Sequence, residues 1–276
     1  MTDTITLLPV SMAELDAVAA LVEAIRWPHR RADIAALIEL GRGRLARAGD
    51  GRTLGVGLWW PVGDTAARIG LVVVSPASQG HGIGRRLVER LLADTAPRSV
   101  MLLATQAGRP LYQKLGFVDV DAVCQHQGEY RGGGHTDPRV RMAGPGDRTA
   151  ILRLDAAALG AAREGMLDHL LAVGRVSVLV EDGRVAGYAI ERAFGHGSVV
   201  GPVVAASEPD AIALFDAAAR PGFVRVDRTS DAANFGRHLT ACGLTLDSES
   251  PAMLRGHWPQ ATGPQRILAL AGHALG

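Results

Sequence analysis

The chain has 276 residues, 47% of them hydrophobic, with a formal net charge of +1 and two cysteines. That length suits two domains of about 130 residues, each able to bury its own core. A charge near balance, with no basic block longer than Arg30-Arg31 or Arg85-Arg86, argues against nucleic acid or an anionic membrane as the main partner. Cys124 and Cys242 lie far apart without CxxC or Cys/His metal spacing, so no metal site is expected. The acidic start of the chain is no signal peptide and no apolar run is long enough for a membrane span; a soluble, cytoplasmic protein is expected.

Thr4 to Leu8 reads as a first strand. Ser11 precedes a helix whose apolar face uses Leu15, Val18, Ala19, Val22 and Ile25; Glu14 completes a capping box, and Trp27-Pro28 ends the helix. A second helix spans Ala32 to Leu40. Arg44 to Ala48, an Asp50-Gly51 turn and Leu54 to Trp60 predict a two-stranded meander. Trp59 and Trp60, adjacent in a strand, face opposite sides, so one is expected in the core and the other beside a pocket. Pro61 to Thr65 reads as a turn, and Ala66 to Ile69 leads into Leu71-Val72-Val73-Val74, an apolar run too short for a helix.

The next stretch carries the first chemical signal. Gly80, Gly82 and Gly84 alternate directly before Leu87, Val88, Leu91 and Leu92, which fall at helical spacing. A glycine-rich turn opening a helix presents unpaired backbone N–H groups, and the helix dipole adds partial positive charge there. Such a turn can seat a pyrophosphate on bare backbone. The spacing is neither a P-loop nor a dinucleotide fingerprint. What it does supply is V-x-P followed by Q-x-x-G-x-G, from Val74 to Gly84. Another strand, Ser99 to Thr105, leads into Leu111-Tyr112-Gln113-Lys114-Leu115-Gly116-Phe117.

These two motifs, in this order, resemble the acetyl-CoA loop and the L-Y-x-K-x-G-F helix of the GNAT superfamily of N-acetyltransferases. The resemblance covers roughly residues 1 to 125 and implies an α+β fold: a mixed, splayed β-sheet flanked by helices. It implies acetyl-CoA as co-substrate, with the pyrophosphate on Gln79, Gly80, His81, Gly82, Ile83, Gly84 and Arg85. The pantetheine arm would pair with the Val72, Val73 and Val74 strand, through backbone groups of Val72 and Val74. A backbone N–H there would polarise the thioester carbonyl. Tyr112 would be the general acid for the departing thiolate, since a phenol of ordinary pKa is protonated at neutral pH. The resemblance also makes the early helices one wall of the acceptor pocket, with Trp27, His29 and Asp33 as candidate contacts; the base that deprotonates the acceptor is left open.

Gly128 to Pro138, with three consecutive glycines, reads as a boundary, giving a catalytic unit at 1–128, a linker at 129–138 and a second unit at 139–276. His126, Glu129 and His135 match no metal spacing. Beyond the linker the pattern restarts: a strand at Arg139 to Met142, two helices, a hairpin through Asp182-Gly183, a strand at Ser198 to Ala205, a helix at Pro209 to Ala219, a strand at Phe223 to Asp227, a helix at Asn234 to Ala241 and a last strand near Ala252 to Arg255. Lys114-Leu115-Gly116-Phe117 aligns with Ala241-Cys242-Gly243-Leu244, which indicates an internal duplication. The second unit has no Q-x-x-G-x-G, carries Glu208 and Asp210 in the equivalent loop, and has Leu239 where the first has Tyr112. It is expected to shape the acceptor pocket rather than to bind CoA, through Asp155, Arg163, Arg192 and Asp227. The expected reaction is transfer of an acetyl group to a primary amine of a small molecule. A CoA-sensing module with little turnover, or acetylation of protein lysines or N-termini, are the alternatives that the sequence leaves open, and the oligomeric state is unread.

Overall fold

A computed structural model describes residues 5–133 and 136–276. The first half contains β1 (Thr6–Pro9), α1 (Leu15–Ala24), α2 (Arg31–Leu40), β2 (Arg42–Arg47), β3 (Thr53–Val62), β4 (Ala66–Val74), α3 (Ile83–Thr95), β5 (Ser99–Leu103), α4 (Arg109–Lys114) and β6 (Val118–Tyr130). The second contains β7 (Val140–Met142), α5 (Arg148–Leu159), α6 (Glu164–Val173), β8 (Arg175–Glu181), β9 (Arg184–Phe194), β10 (Gly197–Ala205), α7 (Glu208–Ala218), β11 (Gly222–Thr229), α8 (Ala233–Ala241), β12 (Thr245–Arg255) and β13 (Arg266–Ala269). The fold is thus a mixed α and β one with helices on both faces of a mixed sheet. The capping box at the start of the chain forms as its residues require: the Glu14 carboxylate accepts from the Ser11 N–H at 2.9 Å, and Ser11 Oγ accepts from the Ala13 N–H at 3.2 Å.

The repeat read from the sequence has a local counterpart. Gly116 and Gly243 end α4 and α8 with φ of 86° and 92°, a left-handed C-terminal position that favours glycine. The N–H two residues past each helix's final turn then folds back in the same way, Phe117 to the Tyr112 carbonyl at 3.1 Å and Leu244 to the Leu239 carbonyl at 2.9 Å. Leu239 therefore occupies the place of Tyr112.

The described strands form one sheet in the order β1-β2-β3-β4-β5-β12-β6-β11-β13-β10-β9-β8-β7. The two halves exchange strands at its middle. β12, from the second half, lies between β5 and β6 of the first, with Leu254 opposite Met101 on one side and Val118 on the other. β6 reciprocally pairs with β11 from Gly222↔Tyr130 to Thr229↔Val123. This pairing moves the boundary expected at residue 129. Glu129 and Tyr130 are ladder residues, and Tyr130 packs edge-on against Phe215 with ring centroids 5.5 Å apart. Of the expected linker, Gly134 and His135 lie outside the described residues.

Three further differences come from tertiary pairing. The strand expected near Ala252, β12, begins at Thr245 because β6 extends its ladder beyond the stretch that β5 pairs. β13 was not expected at all: four residues show too little periodicity to announce a strand. Pro61 and Val62, expected in a turn, complete β3 opposite Ala67 and Ala66.

One face of the sheet carries α1, α2, α5 and α6, and a continuous core there joins Val18, Ile34, Trp60 and Leu71 of the first half to Ile151, Leu167 and Tyr188 of the second. The opposite face carries α3, with Trp59, Ile69, Val88 and Leu91, and α7 with α8 around Phe215 and Phe235. Trp59 and Trp60 do face opposite sides, yet both are buried because helices cover each face. Trp60 Nε1 donates to the Leu37 carbonyl at 3.1 Å, and the Arg42 and Arg98 guanidinium groups lie over the Trp59 ring. No helix among the described residues is long and apolar enough to cross a membrane.

Candidate active site

The first site is built around an irregularity in β4. β4 pairs with β3 along its whole length, but the register shifts so that Leu71 and Val72 together oppose Gly57. Leu71 sits at φ 50°, a left-handed conformation that costs a branched residue roughly 1–2 kcal/mol and is held only by its surroundings. Here the surroundings are the core on which the Leu71 side chain is buried. A bulge of this kind bends the strand and re-aims its backbone.

Just before the bulge, β4 parts from its parallel neighbour. β4 and β5 pair only from Ala66↔Ser99 to Arg68↔Met101. Beyond Arg68 the two strands diverge, and β5 continues along β12 instead. Backbone alternation decides which groups face this splay. Ser75 donates to the Leu54 carbonyl of β3 at 2.8 Å, so Ser75 and Val73 point toward β3. Val72 and Val74 point to the open side. Val73, expected among the ligand-pairing residues, instead spends its backbone on the β3 ladder and its side chain on the core.

The glycine loop follows. Gln79 Nε2 donates to the Val74 carbonyl at 3.2 Å, tying the loop to the end of the strand. Gly80 and Gly82 have φ of 82° and 75°, and a Cβ added at either would stand in open space. Both glycines are thus needed for backbone shape, and a side chain there would project into the space that the loop leaves clear. Gly82 is the N-cap of α3 without any side-chain cap, so the first N–H groups of the helix are left for another acceptor. A Cβ added at Gly84 would stand in ordinary contact with Val74 and with Leu111 of α4, so α4 lies beside this end of the loop. Ile83 anchors the loop in the core, His81 Nδ1 lies 2.8 Å from the Gln79 carbonyl oxygen, and Arg85 pairs with Glu89 at 2.8 Å. The Arg85 side chain therefore turns along the helix; only its backbone N–H belongs to the loop.

Tyr112, on α4, is buried against Phe117, ring centroids 5.9 Å apart. Its hydroxyl makes no hydrogen bond among the described residues. Burial pushes its pKa up to about 12, so the phenol stays protonated and can donate.

The splay of the second unit differs. β10 has the equivalent bulge, with Gly201 and Pro202 opposite Ile190, and pairs in parallel with β11 only at Ser198↔Val224 and Val199↔Arg225. There β13 enters the gap, pairing Val203, Val204 and Ala205 with Ala269, Ile267 and Arg266, and touching β11 at Arg228. The chain itself supplies the strand that fills this gap. Residues 270–276 then cross the helical face to the first unit, where a Cβ added at Gly70 would lie 3.2 Å from Ala274.

Most of the candidate acceptor residues are committed to the protein. Asp33 accepts from the Arg30 N–H at 2.8 Å, from its guanidinium, and from the Gly195 N–H of the second unit at 3.1 Å; it caps α2 and clamps the halves together. Asp155 and Arg163 form a fully buried bidentate pair with both contacts at 2.9 Å, completed by the Tyr188 hydroxyl donating to Asp155 and by Arg163 donating to the Leu275 and Gly276 carbonyls. Asp227 is fully buried and held by Arg225 at 2.8 and 2.9 Å. These three carboxylates are structural, because burial of a charge is tolerated only with a partner this close. Of the remaining candidates, Trp27 and Arg192 lie on the face that carries α1, α2 and residues 270–276. Trp27 stacks near His29 at 5.8 Å, and His29 packs edge-on to Phe194 at 5.2 Å.

Two further groups have partners that the sequence did not show. His126 is structural: its Nδ1 lies 3.1 Å from the Leu244 carbonyl oxygen and its Nε2 accepts from Arg228 at 3.1 Å. Cys242 and Asp216 both approach His238 Nε2, at 3.5 and 2.7 Å. Because both reach the same ring nitrogen, the imidazole cannot relay a proton from the thiol to the carboxylate. The four-residue spacing of His238 and Cys242 on one helix face was the available signal.

A bulged central strand that leaves its parallel neighbour beside a glycine-capped helix defines a class of acyl-transfer fold, and the comparisons agree. Profiles of the acetyltransferase (GNAT) domain match residues 42–119 and again residues 151–266. The chain belongs to the GNAT superfamily, as an acetyltransferase with two GNAT domains in tandem. It is 28% identical over 194 residues, 67% of this chain and 68% of the relative, to the uncharacterized N-acetyltransferase YitH of Bacillus subtilis (strain 168). Its fold matches a Pyrococcus horikoshii protein provisionally assigned as an acetyltransferase, with a TM-score of 0.80, 19% identity and coverage of 99% of this chain and 96% of that one. A tandem GNAT protein from the clavulanic acid biosynthesis pathway matches with a TM-score of 0.65 and 15% identity, covering 91% and 98%.

Proposed function

We propose that the first unit transfers an acetyl group from acetyl-CoA to the primary amine of a small molecule, and that the second unit closes the acceptor side without binding CoA. The observation that carries this reading is the open edge of β4 at Val72 and Val74, running directly into a left-handed glycine loop over a bare helix N-terminus.

The residues present fit acetyl-CoA. An extended pantetheine amide could add to the free backbone edge of Val72 and Val74 as a strand adds to a sheet. The N–H groups of residues 80–85 suit a pyrophosphate. Acetyl-CoA supplies the activated acyl group as a thioester. The backbone at the Gly70–Leu71 bulge presents fixed dipoles where the chain departs from the ladder, and one well-placed donor to a developing oxyanion is worth roughly 3 kcal/mol. Tyr112 keeps its proton and donates it to the sulfur as the thiolate leaves. α1, α2 and residues 270–276 cover the same face, which favours a small acceptor over a protein chain.

Calorimetric titration of acetyl-CoA into the wild type and Gly82→Glu tests the reading. One site per chain, abolished by the glutamate, is expected, together with CoA release on adding an amine panel. Two sites would contradict the role given to β13. Unchanged binding in the variant would remove the glycine loop from the site.

A further inference from the structure

On the acceptor face, both halves contribute to one polar cluster. His29 and the Arg30–Asp33 pair come from the first unit, Arg192, Arg225 and Asp227 from the second, and His273 from the segment that ends the fold. The cluster reaches the splay directly: His273 Nε2 lies 3.5 Å from Asp227, and the next residue, Ala274, packs on Gly70 at the bulge. It is also open to solvent, since the His273 side chain keeps 31% of its exposure and Arg192 is half-buried.

The charges in this cluster do not balance. Asp33 is taken by Arg30 and Asp227 by Arg225. Arg192 is the third guanidinium, and no carboxylate pairs with it among the described residues. Its Nη2 donates to the Ala271 carbonyl, its Nε is buried without a hydrogen-bond partner, and its charge lies 5.5 Å from the centre of the Phe194 ring, which Arg225 also approaches at 5.4 Å. His29 Nδ1 and His273 Nε2 are likewise buried without a hydrogen bond. Asp33 and Asp227 lie near enough to act on Arg192 but are bonded to Arg30 and Arg225, so three guanidinium groups share two carboxylates and a further anion would offset the excess charge. Burial holds both histidines in the neutral form although Asp33 and Asp227 act against it; neither adds to the positive charge.

We infer that the acceptor is a primary amine that also carries an anionic group, a carboxylate or a phosphate, and that Arg192 binds that group. The inference rests on the proposed N-acetyltransferase activity and names its substrate class. The amine then points toward the β4 bulge, one residue along from His273, and the anion toward Phe194. A neutral alkylamine would leave Arg192 without a counter-ion.

The test uses matched sets of equal chain length: amino acids, the amines lacking only the carboxylate, and aminoalkyl phosphates, each with acetyl-CoA and with release of CoA as the readout. The wild type should prefer the anionic members by about tenfold to hundredfold in kcat/KM, the range set by one charge-assisted contact. Comparing the carboxylate and phosphate series identifies which anion the site takes. Arg192→Gln should raise KM for the anionic amines by a similar factor, more than for neutral amines, and so lower the preference between the matched members, while Arg192→Lys retains part of it. Unaltered acetyl-CoA affinity confirms that each variant is folded, and the wild-type panel decides the matter without any variant. Equal or better turnover of neutral amines would overturn the inference and leave the acetyltransferase reading intact. No CoA release from any amine, with acetyl-CoA still bound, would overturn the small-amine reading beneath it.

Discussion

Tyr112 shows how surroundings set the protonation state of one residue. Burial against Phe117 in the α4 helix raises its pKa to about 12, whereas an exposed phenol ionises near 10. A raised pKa keeps the proton on the oxygen, so the acid form persists through the alkaline range where an ordinary tyrosine would begin to lose it. The pH profile of kcat should therefore show no fall from tyrosine ionisation between about pH 9 and 10.5. Tyr112→Phe should lower kcat by about 10²-fold or more while acetyl-CoA affinity holds, because only the proton donor is lost. A fall of less than about threefold would assign the donor elsewhere. The Asp155–Arg163–Tyr188 group illustrates the opposite outcome. Polar residues spaced in the sequence like candidate substrate contacts turn out to be a buried, internally satisfied lock between α5, β9 and the last residues described.

At the scale of elements, β4 divides its two edges by alternation. Ser75 and Val73 hold the strand to β3, and Val72 and Val74 face the splay. Val74→Pro removes an N–H that β3 does not use, at a position whose preceding residue is extended, so the fold should survive. Acetyl-CoA binding should weaken by about fivefold to tenfold, the worth of one hydrogen bond, as titration calorimetry would read. Unchanged affinity would exclude strand-like pairing at that edge. This element was largely legible beforehand: four apolar residues gave a strand, and the alternating glycines a turn opening a helix. The bulge was not, because Leu71 enters a left-handed conformation only through pairing with β3 and burial in the core. β13 was equally hidden, since Arg266 to Ala269 become a strand only when β10 and β11 offer their edges.

For the whole molecule, the exchange of β6 and β12 makes the halves interdependent although the sequence presents them as a repeat. Residues 1–133 alone would leave β5 and β6 without the strand between them, two unpaired edges prone to association. Expressed alone, that half should aggregate or remain partly unfolded. Co-expressed with residues 136–276, it should recover a soluble complex that binds acetyl-CoA. A well-folded, monomeric first half, seen by dispersed amide resonances, would contradict the exchange. Shared packing points the same way, since one core runs from Val18 and Trp60 to Ile151 and Tyr188.

The sequence by itself determined the units that local chemistry can specify: a glycine-rich turn opening a helix, a capping box at Ser11, short apolar strands, the duplicated helix end at Gly116 and Gly243, and with them the loop that suits a pyrophosphate. Tertiary structure decided every question of partner. Which strand fills the second splay, which half completes the other's sheet, which carboxylate pairs with which arginine, and which guanidinium is left over depend on contacts between residues up to more than a hundred positions apart. Those contacts are chosen among chemically equivalent candidates by packing and pairing of the whole chain, and periodicity along the chain carries no record of that choice.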